Sequence, residues 1–281
     1  MPHDVKSIEE HRRFYAEFIV RSAGFNDQRL IDAFASVARE HFLGPGPWPV
    51  FVGSGYIPTV DDDPRSIYHD VLVGLATDRK INNGQPSLHA RCIASAAPKL
   101  GDHVIHVGAG TGYYTAILST LVGPEGHVLA LEIEPDVAAR AGTNLAGFPN
   151  VQVELGSANH RELPPCDLIY ASAGATHPPG QWLDALRVGG RLVVPLTPNE
   201  GFGVMLMVTR RTQIAYEARA LMRASFIPCI GARDDVASAS LTRALERQSL
   251  QEVRSLRRDR QPDGSTWCVG EDWWLSTSPA L

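Results

Sequence analysis

The sequence predicts an α/β fold built on a mostly parallel sheet with helices packed on it. Two observations carry that expectation. Beyond about residue 98, short apolar runs of strand length alternate with amphipathic segments of helix length, the pattern of strand–helix–strand units in a parallel sheet. The first such run, His103–Val107, passes directly into Gly108-Ala-Gly110-Thr-Gly112 and then into a helical segment. A glycine-rich strand-to-helix turn of that kind belongs to sheets that bind ligands at their strand ends.

Each element has its own reason. Residues 4–22 and 27–41 are expected as amphipathic helices, because Phe14, Phe18 and Ile19, then Leu30, Ile31, Phe34 and Val37, recur at helical spacing. Asn26 or Asp27 is placed to cap the second helix. Gly44-Pro-Gly-Pro-Trp-Pro49 ends that regularity. Residues 44–87 hold many turn formers and little periodicity, so they are expected to be functional or packed by their own side chains. A helix over 88–97 follows. Strands at 103–107, 127–132, 151–155, 167–172 and 190–196 then alternate with helices at 113–122, 135–146 and 179–187. Residues 202–209 and 213–222 read as a terminal antiparallel pair. A helix over 237–257 would carry Arg254 and Arg257 at its C-terminal end, with Arg258 just beyond, where cations suit the helix dipole. Residues 267–275 read as an aromatic-rich strand or hairpin.

Composition bounds the function. A chain of 281 residues, 44% hydrophobic and 20% charged, is ordinary globular protein and needs no disulfide or metal staple. A net charge of −5 argues against a broad cationic face for nucleic acid. Cys92, Cys166, Cys229 and Cys268 lie far apart with no zinc spacing, so they are expected to be reduced, buried thiols with no metal. The N-terminus has no signal-like apolar stretch and no run reaches membrane-span length, so a soluble, cytoplasmic protein is expected.

The glycine turn is the sharpest motif. Glycines there allow torsions and a close ligand approach that a Cβ would block, and the N–H groups at the helix start favour a negative group. A dinucleotide fingerprint would want a glycine where Tyr113 stands. The spacing G-x-G-x-G suits S-adenosylmethionine better than NAD. The next strand ends at Glu132, placed to accept hydrogen bonds from ribose hydroxyls, with Glu134 as a rival. The third strand leads to Gly156-Ser157-Ala158, where an adenine edge would sit. The fourth leads to Ser172-Ala173-Gly174 and on to His177, where a substrate would meet the cofactor.

These segments together resemble a known family. VGAGTGYYTAILSTLVGPEGHVLALEIEPDVAARAGTNL, running from Val107 to Leu145, is similar to the cofactor half of the protein-L-isoaspartate (D-aspartate) O-methyltransferases. Cys166–Ala175, Leu186–Leu196 and Leu221–Gly231 agree with it, and the resemblance covers about residues 20–232. It implies a Rossmann-like class I methyltransferase sheet with S-adenosyl-L-methionine as methyl donor, and esterification of isoaspartyl carboxylates in damaged proteins. It carries the glycine turn onto Gly108, Gly110 and Gly112 and the ribose carboxylate onto Glu132. The full cofactor set expected is Gly108, Gly110, Thr111, Gly112, Tyr113, Glu132, Ile133, Gly156, Ser157, Ala158 and Ala173. Tyr113 and Tyr114 are equally readable as a cover for the cofactor or as core. The expected domains are 1–97, helices and an acceptor-site loop; 98–232, the cofactor domain; and 233–281, an extension that the resemblance does not explain.

Two departures stand out. The family's Gly-Asp-Gly after the third strand is Gly156-Ser157-Ala158 here. Its Thr-Ile-Ser-x-Pro-x-Met-like segment reads Lys80-Ile-Asn82-Asn83-Gly84-Gln-Pro86-Ser87-Leu-His89, with two residues extra. Asn82 or Asn83 takes the place of the family serine, and Ser87 is a displaced alternative. An amide can donate to a carboxylate and hold it, so Asn82, Asn83, Ser87 and His89 are the expected catalytic residues. Asn82-Asn83-Gly84 also reads as an ordinary turn. Arg79 or Lys80 would hold a second carboxylate or the peptide backbone if they are not simply solvated, as Asp61–Asp63 are expected to be. The acceptor is expected to be a carboxylate-bearing protein, peptide or small molecule. Alternatives are a degenerate cofactor-binding module, an NAD-linked oxidoreductase and a nucleic-acid methyltransferase. The last is disfavoured because Ala171-Ser-Ala-Gly174 stands where an Asn/Asp-Pro-Pro-Tyr-like motif would be.

Overall fold

A computed structural model describes residues 7–159, 161–258 and 261–280. In chain order its elements are α1 (Ile8–Ser22), α2 (Gln28–Ser36), β1 (Pro49–Phe51), β2 (Tyr56–Pro58), β3 (Gly74–Ala76), β4 (Ile81–Asn82) and α3 (Pro86–Ala96). Then come β5 (His103–Val107), α4 (Tyr113–Val122), β6 (His127–Glu132), α5 (Pro135–Asn144), β7 (Val151–Leu155), β8 (Cys166–Ala171), α6 (Gly180–Ala185) and β9 (Leu186–Leu196). The chain ends with β10 (Gly203–Arg210), β11 (Tyr216–Ala224), α7 (Asp235–Arg247), β12 (Ser255–Arg257), β13 (Thr266–Val269) and β14 (Trp274–Ser276). It forms two compact units: Met1–Gly101 with Ala109–His127 and Glu134–Val153, and Asp102–Gly108 with Val128–Ile133 and Glu154–Leu281.

In the first unit, α1 opens on a capping box. Ser7 Oγ accepts from Glu10 N, and the Glu10 carboxylate accepts from Ser7 N. The expected start at residues 4–6 lies outside the described residues. The buried stripe of α1 is Tyr15, Ala16, Ile19 and Val20, while Phe14 and Phe18 are exposed. Two apolar stripes share this helix, and burial selects the one that faces the rest of the unit. Asp27, not Asn26, caps α2 through Leu30 N at 3.2 Å. That helix stops at Ser36, short of residue 41, because Val37 turns extended and a short 3₁₀ turn, Arg39–Phe42, follows. Residues 44–87 are packed by their own side chains. β1 pairs antiparallel with β2 and β3 with β4, around a small core of Leu43, Trp48, Ile67 and Val73. α3 starts at Pro86, two residues earlier than the periodicity indicated, since proline is well suited to a first helical turn.

The second unit is organised by a ten-stranded sheet of order β13-β14-β12-β11-β10-β9-β8-β5-β6-β7, of whose edge strand Glu154 and Leu155 belong to this unit. β5 pairs parallel with β8 and β8 with β9. From β9 onward the pairing is antiparallel. β5 lies between β8 and β6, so the chain's path across the sheet reverses there, and ligands in such sheets sit at the carboxyl ends of the strands flanking the reversal. The apolar face is continuous from Ile105 and Leu129 through Ile169 and Leu206 to Leu256 and Leu275.

The extension explains itself structurally. α7 ends at Arg247, ten residues short of the expected 257, because Gln248 adopts extended torsions and Ser249 caps a new short turn. Arg254 and Arg257 therefore lie beyond the helix; Arg257 sits in β12, and Arg258, which follows it, pairs with Asp184. β12, β13 and β14 lengthen the antiparallel side of the sheet. Trp267 and Trp273 are in the unit's core and Trp274 is also buried. All four cysteines are free and buried. No described helix is long and apolar enough to cross a membrane.

Candidate active site

In the second unit, backbone hydrogen bonds gather the strand ends. Gly108 N donates to Leu131 O at 2.9 Å, Gly156 N to Glu132 O at 2.8 Å and Ser172 N to Val107 O at 2.8 Å. Gly108, Glu132, Gly156 and Ala173 are thereby brought to one end of the sheet. Gly108 has φ +73°, and a Cβ there would lie 3.5 Å from that of Ala173. Glu132 is 7% exposed, and its Oε1 accepts from Ile133 N at 2.8 Å. Ile133 beside it is 37% exposed, a large apolar side chain at the rim. A buried carboxylate can accept from a pair of hydroxyls, and the apolar side chain beside it offers a surface to a planar ring. Ser157 is engaged locally, its Oγ accepting from Asn159 N, and Ala158 is buried, its carbonyl accepting from Gln181 and Trp182. The loop after β8 is pinned by Gly174 N to Ile227 O and Cys229 N to Gly174 O. His177 follows it, half-buried, its Nδ1 3.2 Å from Thr176 Oγ, and burial lowers its pKa.

In the first unit, the turn runs Gly110 (φ +59°), Thr111 and Gly112 (φ +101°) into α4. Thr111 anchors it by donating Oγ1 to Phe42 O at 2.6 Å, while Asn144 Nδ2 donates to Thr111 O at 2.9 Å. A Cβ on Gly110 would meet nothing nearer than Leu75 Cδ1 at 3.9 Å, so the fold leaves the space over that residue open. Tyr113 is core: it is 1% exposed and packs against Phe34 and Phe42. Tyr114 stacks on His89 with ring centroids 3.7 Å apart, and its hydroxyl donates to Gly84 O. Gly84 has φ +72°, and a Cβ there would fall 2.3 Å from His89 Nε2, so the turn before α3 admits only glycine.

The expected acceptor residues separate into different roles. Asn82 closes a local turn, its Oδ1 accepting from Gly84 N at 2.8 Å. Asn83 is 6% exposed and accepts at Oδ1 from Arg39 Nε at 3.2 Å. Ser87 belongs to the cap of α3: its N and Oγ both donate to Asp70, at 2.8 and 2.6 Å, and Gln85 Nε2 joins them. Asp70→Ala is therefore expected to destabilise the protein by about 1–2 kcal/mol, read as a lower denaturation midpoint. Arg79 is held by Glu134 and, at 2.6 Å, by Asp136. That engagement takes Glu134 as a partner for Arg79. Lys80 ends the short turn in a left-handed conformation, and Asp63 pairs with Arg65, which holds its carboxyl down at about 2.

Two further buried polar residues touch these segments, Arg39 at Asn83 and His106 at Ser172. Arg39, near the end of the expected 27–41 helix, is fully buried in the 3₁₀ turn Arg39–Phe42. His106 is buried on β5, its Nε2 3.1 Å from Ser172 Oγ, and burial drives its pKa down to about 3, so it is neutral. Neither carries a sequence signal, because both are defined by partners far along the chain.

Solved structures share this fold. A protein-L-isoaspartate O-methyltransferase aligns over 94% of this chain and 86% of its own with TM-score 0.65 and 21% identity. A Plasmodium falciparum relative of that kind, solved with S-adenosyl-L-homocysteine, aligns over 78% of this chain and 98% of its own with TM-score 0.63 and 18% identity. The fold is that of the class I S-adenosylmethionine-dependent methyltransferases. The sequence narrows this further. Residues 18–234 match the family model described as Protein-L-isoaspartate(D-aspartate) O-methyltransferase. The protein-L-isoaspartate O-methyltransferase of Ignicoccus hospitalis is 34% identical over 79% of this chain and 99% of its own, and that of Brucella anthropi 28% identical over 81% and 96%. The chain belongs to the protein-L-isoaspartate (D-aspartate) O-methyltransferase family.

Proposed function

We propose that this protein esterifies a carboxylate on a protein or peptide with the methyl group of S-adenosylmethionine, the isoaspartyl carboxylate being the leading acceptor. The observation that carries the reading is the buried Glu132 carboxylate at the end of β6, in a chain whose residues 18–234 match that family. The cofactor, when bound, supplies a methyl group on a positively charged sulfur. In the second unit Gly108 and Glu132 would hold it, with Ile133 against the purine and Ser157 near its edge; in the first, Gly110 and Gly112 are the glycines of the turn that the family resemblance assigns to it. The remaining work is positioning. A carboxylate is already a nucleophile at neutral pH, so no general base is needed, and in-line placement supplies much of the barrier reduction. An amide donor such as Asn83 suits that task, since it fixes a carboxylate oxygen without neutralising it. Four buried, free cysteines support a reducing compartment such as the cytoplasm.

The test is base-labile methyl ester formation on an isoaspartyl peptide, on the same peptide with ordinary aspartate, and on small dicarboxylates. Faster esterification of the isoaspartyl peptide is expected. Esterification of only the aspartyl peptide or the small acids would replace the acceptor; bound S-adenosylhomocysteine with no ester on any carboxylate would leave a binding module.

A further inference from the structure

Arg39 is the most unusual charged group in the first unit. It is 0% exposed, yet among the described residues it pairs with no carboxylate. Burying a guanidinium without a counter-charge is costly unless its donors are all answered. Here Nη1 donates to Ile67 O at 2.6 Å and His69 O at 3.1 Å, and Nη2 to Val71 O at 2.7 Å. The cation also lies 5.9 Å from the ring centres of both Tyr15 and Tyr113. Its remaining fork atom, Nε, is spent on a single side chain, Asn83 Oδ1.

That bond decides which way the Asn83 amide faces. A guanidinium has donors only, so the atom turned towards it must be the carbonyl oxygen. Asn83 N is fixed as well, donating to Val73 O at 2.8 Å. Asn83 Nδ2 donates to no described residue, and the residue keeps 6% of its surface accessible. The neighbouring Asn82 differs, because both ends of its amide are engaged locally: Nδ2 donates to Lys80 O at 3.4 Å and Oδ1 accepts from Gly84 N.

We propose that Arg39 is a positioning residue that orients the Asn83 amide so that Nδ2 is offered to the acceptor carboxylate. The buried cation behind the amide also makes that donor stronger, since a guanidinium polarises the carbonyl it binds. This rests on the reading that the acceptor is a carboxylate, and it selects Asn83 from the candidates of the 80–89 segment.

The experiment combines N83D, N83A, R39K and the R39K/N83A double variant, with ester formation on the acceptor peptide, S-adenosylhomocysteine affinity by calorimetry, and denaturation midpoint. N83D keeps an oxygen for Arg39 but replaces the donor with a carboxylate. It should keep the wild-type midpoint and cofactor affinity and lose about a hundredfold in acceptor kcat/KM, the scale of a lost donor plus charge repulsion. Lysine cannot reproduce the guanidinium fork. R39K should therefore lose about tenfold in the wild-type background and less than about twofold in the N83A background, because the two residues act through one bond. Equal losses in both backgrounds would make Arg39 a purely structural residue. If R39K does not fold, N83D decides alone: full acceptor turnover overturns the proposal. A wild-type protein that esterifies no carboxylate removes the functional reading itself, which is a different result from an active enzyme indifferent to N83D.

Discussion

Gly110→Val is expected to abolish binding of S-adenosylhomocysteine while leaving a folded protein. Gly110 and Gly112 stand two residues apart in one turn, both with positive φ, at +59° and +101°. What surrounds them differs. A Cβ on Gly112 would fall 2.6 Å from Leu145 Cδ1 and 2.9 Å from its Cγ, so that glycine is required by the packing of α4 against the end of α5. A Cβ on Gly110 meets only Leu75 Cδ1 at 3.9 Å. The fold has no use for that open space, whereas a cofactor that approaches the backbone closely does. Valine at Gly110 carries the strain of a left-handed residue, about 1–2 kcal/mol, and fills the approach with two methyl groups. Cofactor affinity should fall more than about a hundredfold, some 3 kcal/mol, as measured by calorimetry, with a denaturation midpoint only a few degrees lower. Gly112→Val should show the opposite balance, with the midpoint collapsing first. Unchanged affinity in Gly110→Val would move the cofactor off this turn.

The contrast between these glycines also shows what a sequence can reveal. The turn itself was legible, because strand periodicity, glycine spacing and a following helix are all local. So was the alternation of β5 to β9 with their helices. Which glycine serves the fold and which a ligand was not legible, since Leu145 and Leu75 reach the turn from distant segments. The same holds for the acceptor segment. Asn82, Asn83 and Ser87 carry similar chemistry in sequence. They separate only because Gly84 N is near Asn82, Arg39 is near Asn83 and Asp70 is near Ser87. Phe14 and Phe18 make as good a helical stripe as Tyr15 and Ile19, and periodicity does not choose between two stripes on one helix. In the extension, the sequence predicts one helix over 237–257 where the structure ends it at Arg247. The extended Gln248 and the pairing of β12 with β11 and β14 are non-local facts.

Glu132→Ala should weaken S-adenosylhomocysteine binding by about 1–3 kcal/mol, the loss of charge-assisted hydrogen bonds to a hydroxyl pair. The carboxylate is well prepared for that role. It is buried at the end of β6, its Oε1 is fixed by the backbone N–H of Ile133, and Gly156 N holds the backbone carbonyl of the same residue. Glu132→Gln separates shape from charge, since it keeps the size and one acceptor oxygen but loses the charge, and it should fall between the wild type and the alanine variant. Glu134→Ala is the control. Its carboxylate is engaged by Arg79, which Asp136 also holds, so its removal should leave cofactor affinity within about twofold, in keeping with the small effect of exposed ion pairs. An affinity that depends on Glu134 and not on Glu132 would transfer the ribose to the other carboxylate, and with it the placement of the cofactor at the end of β6.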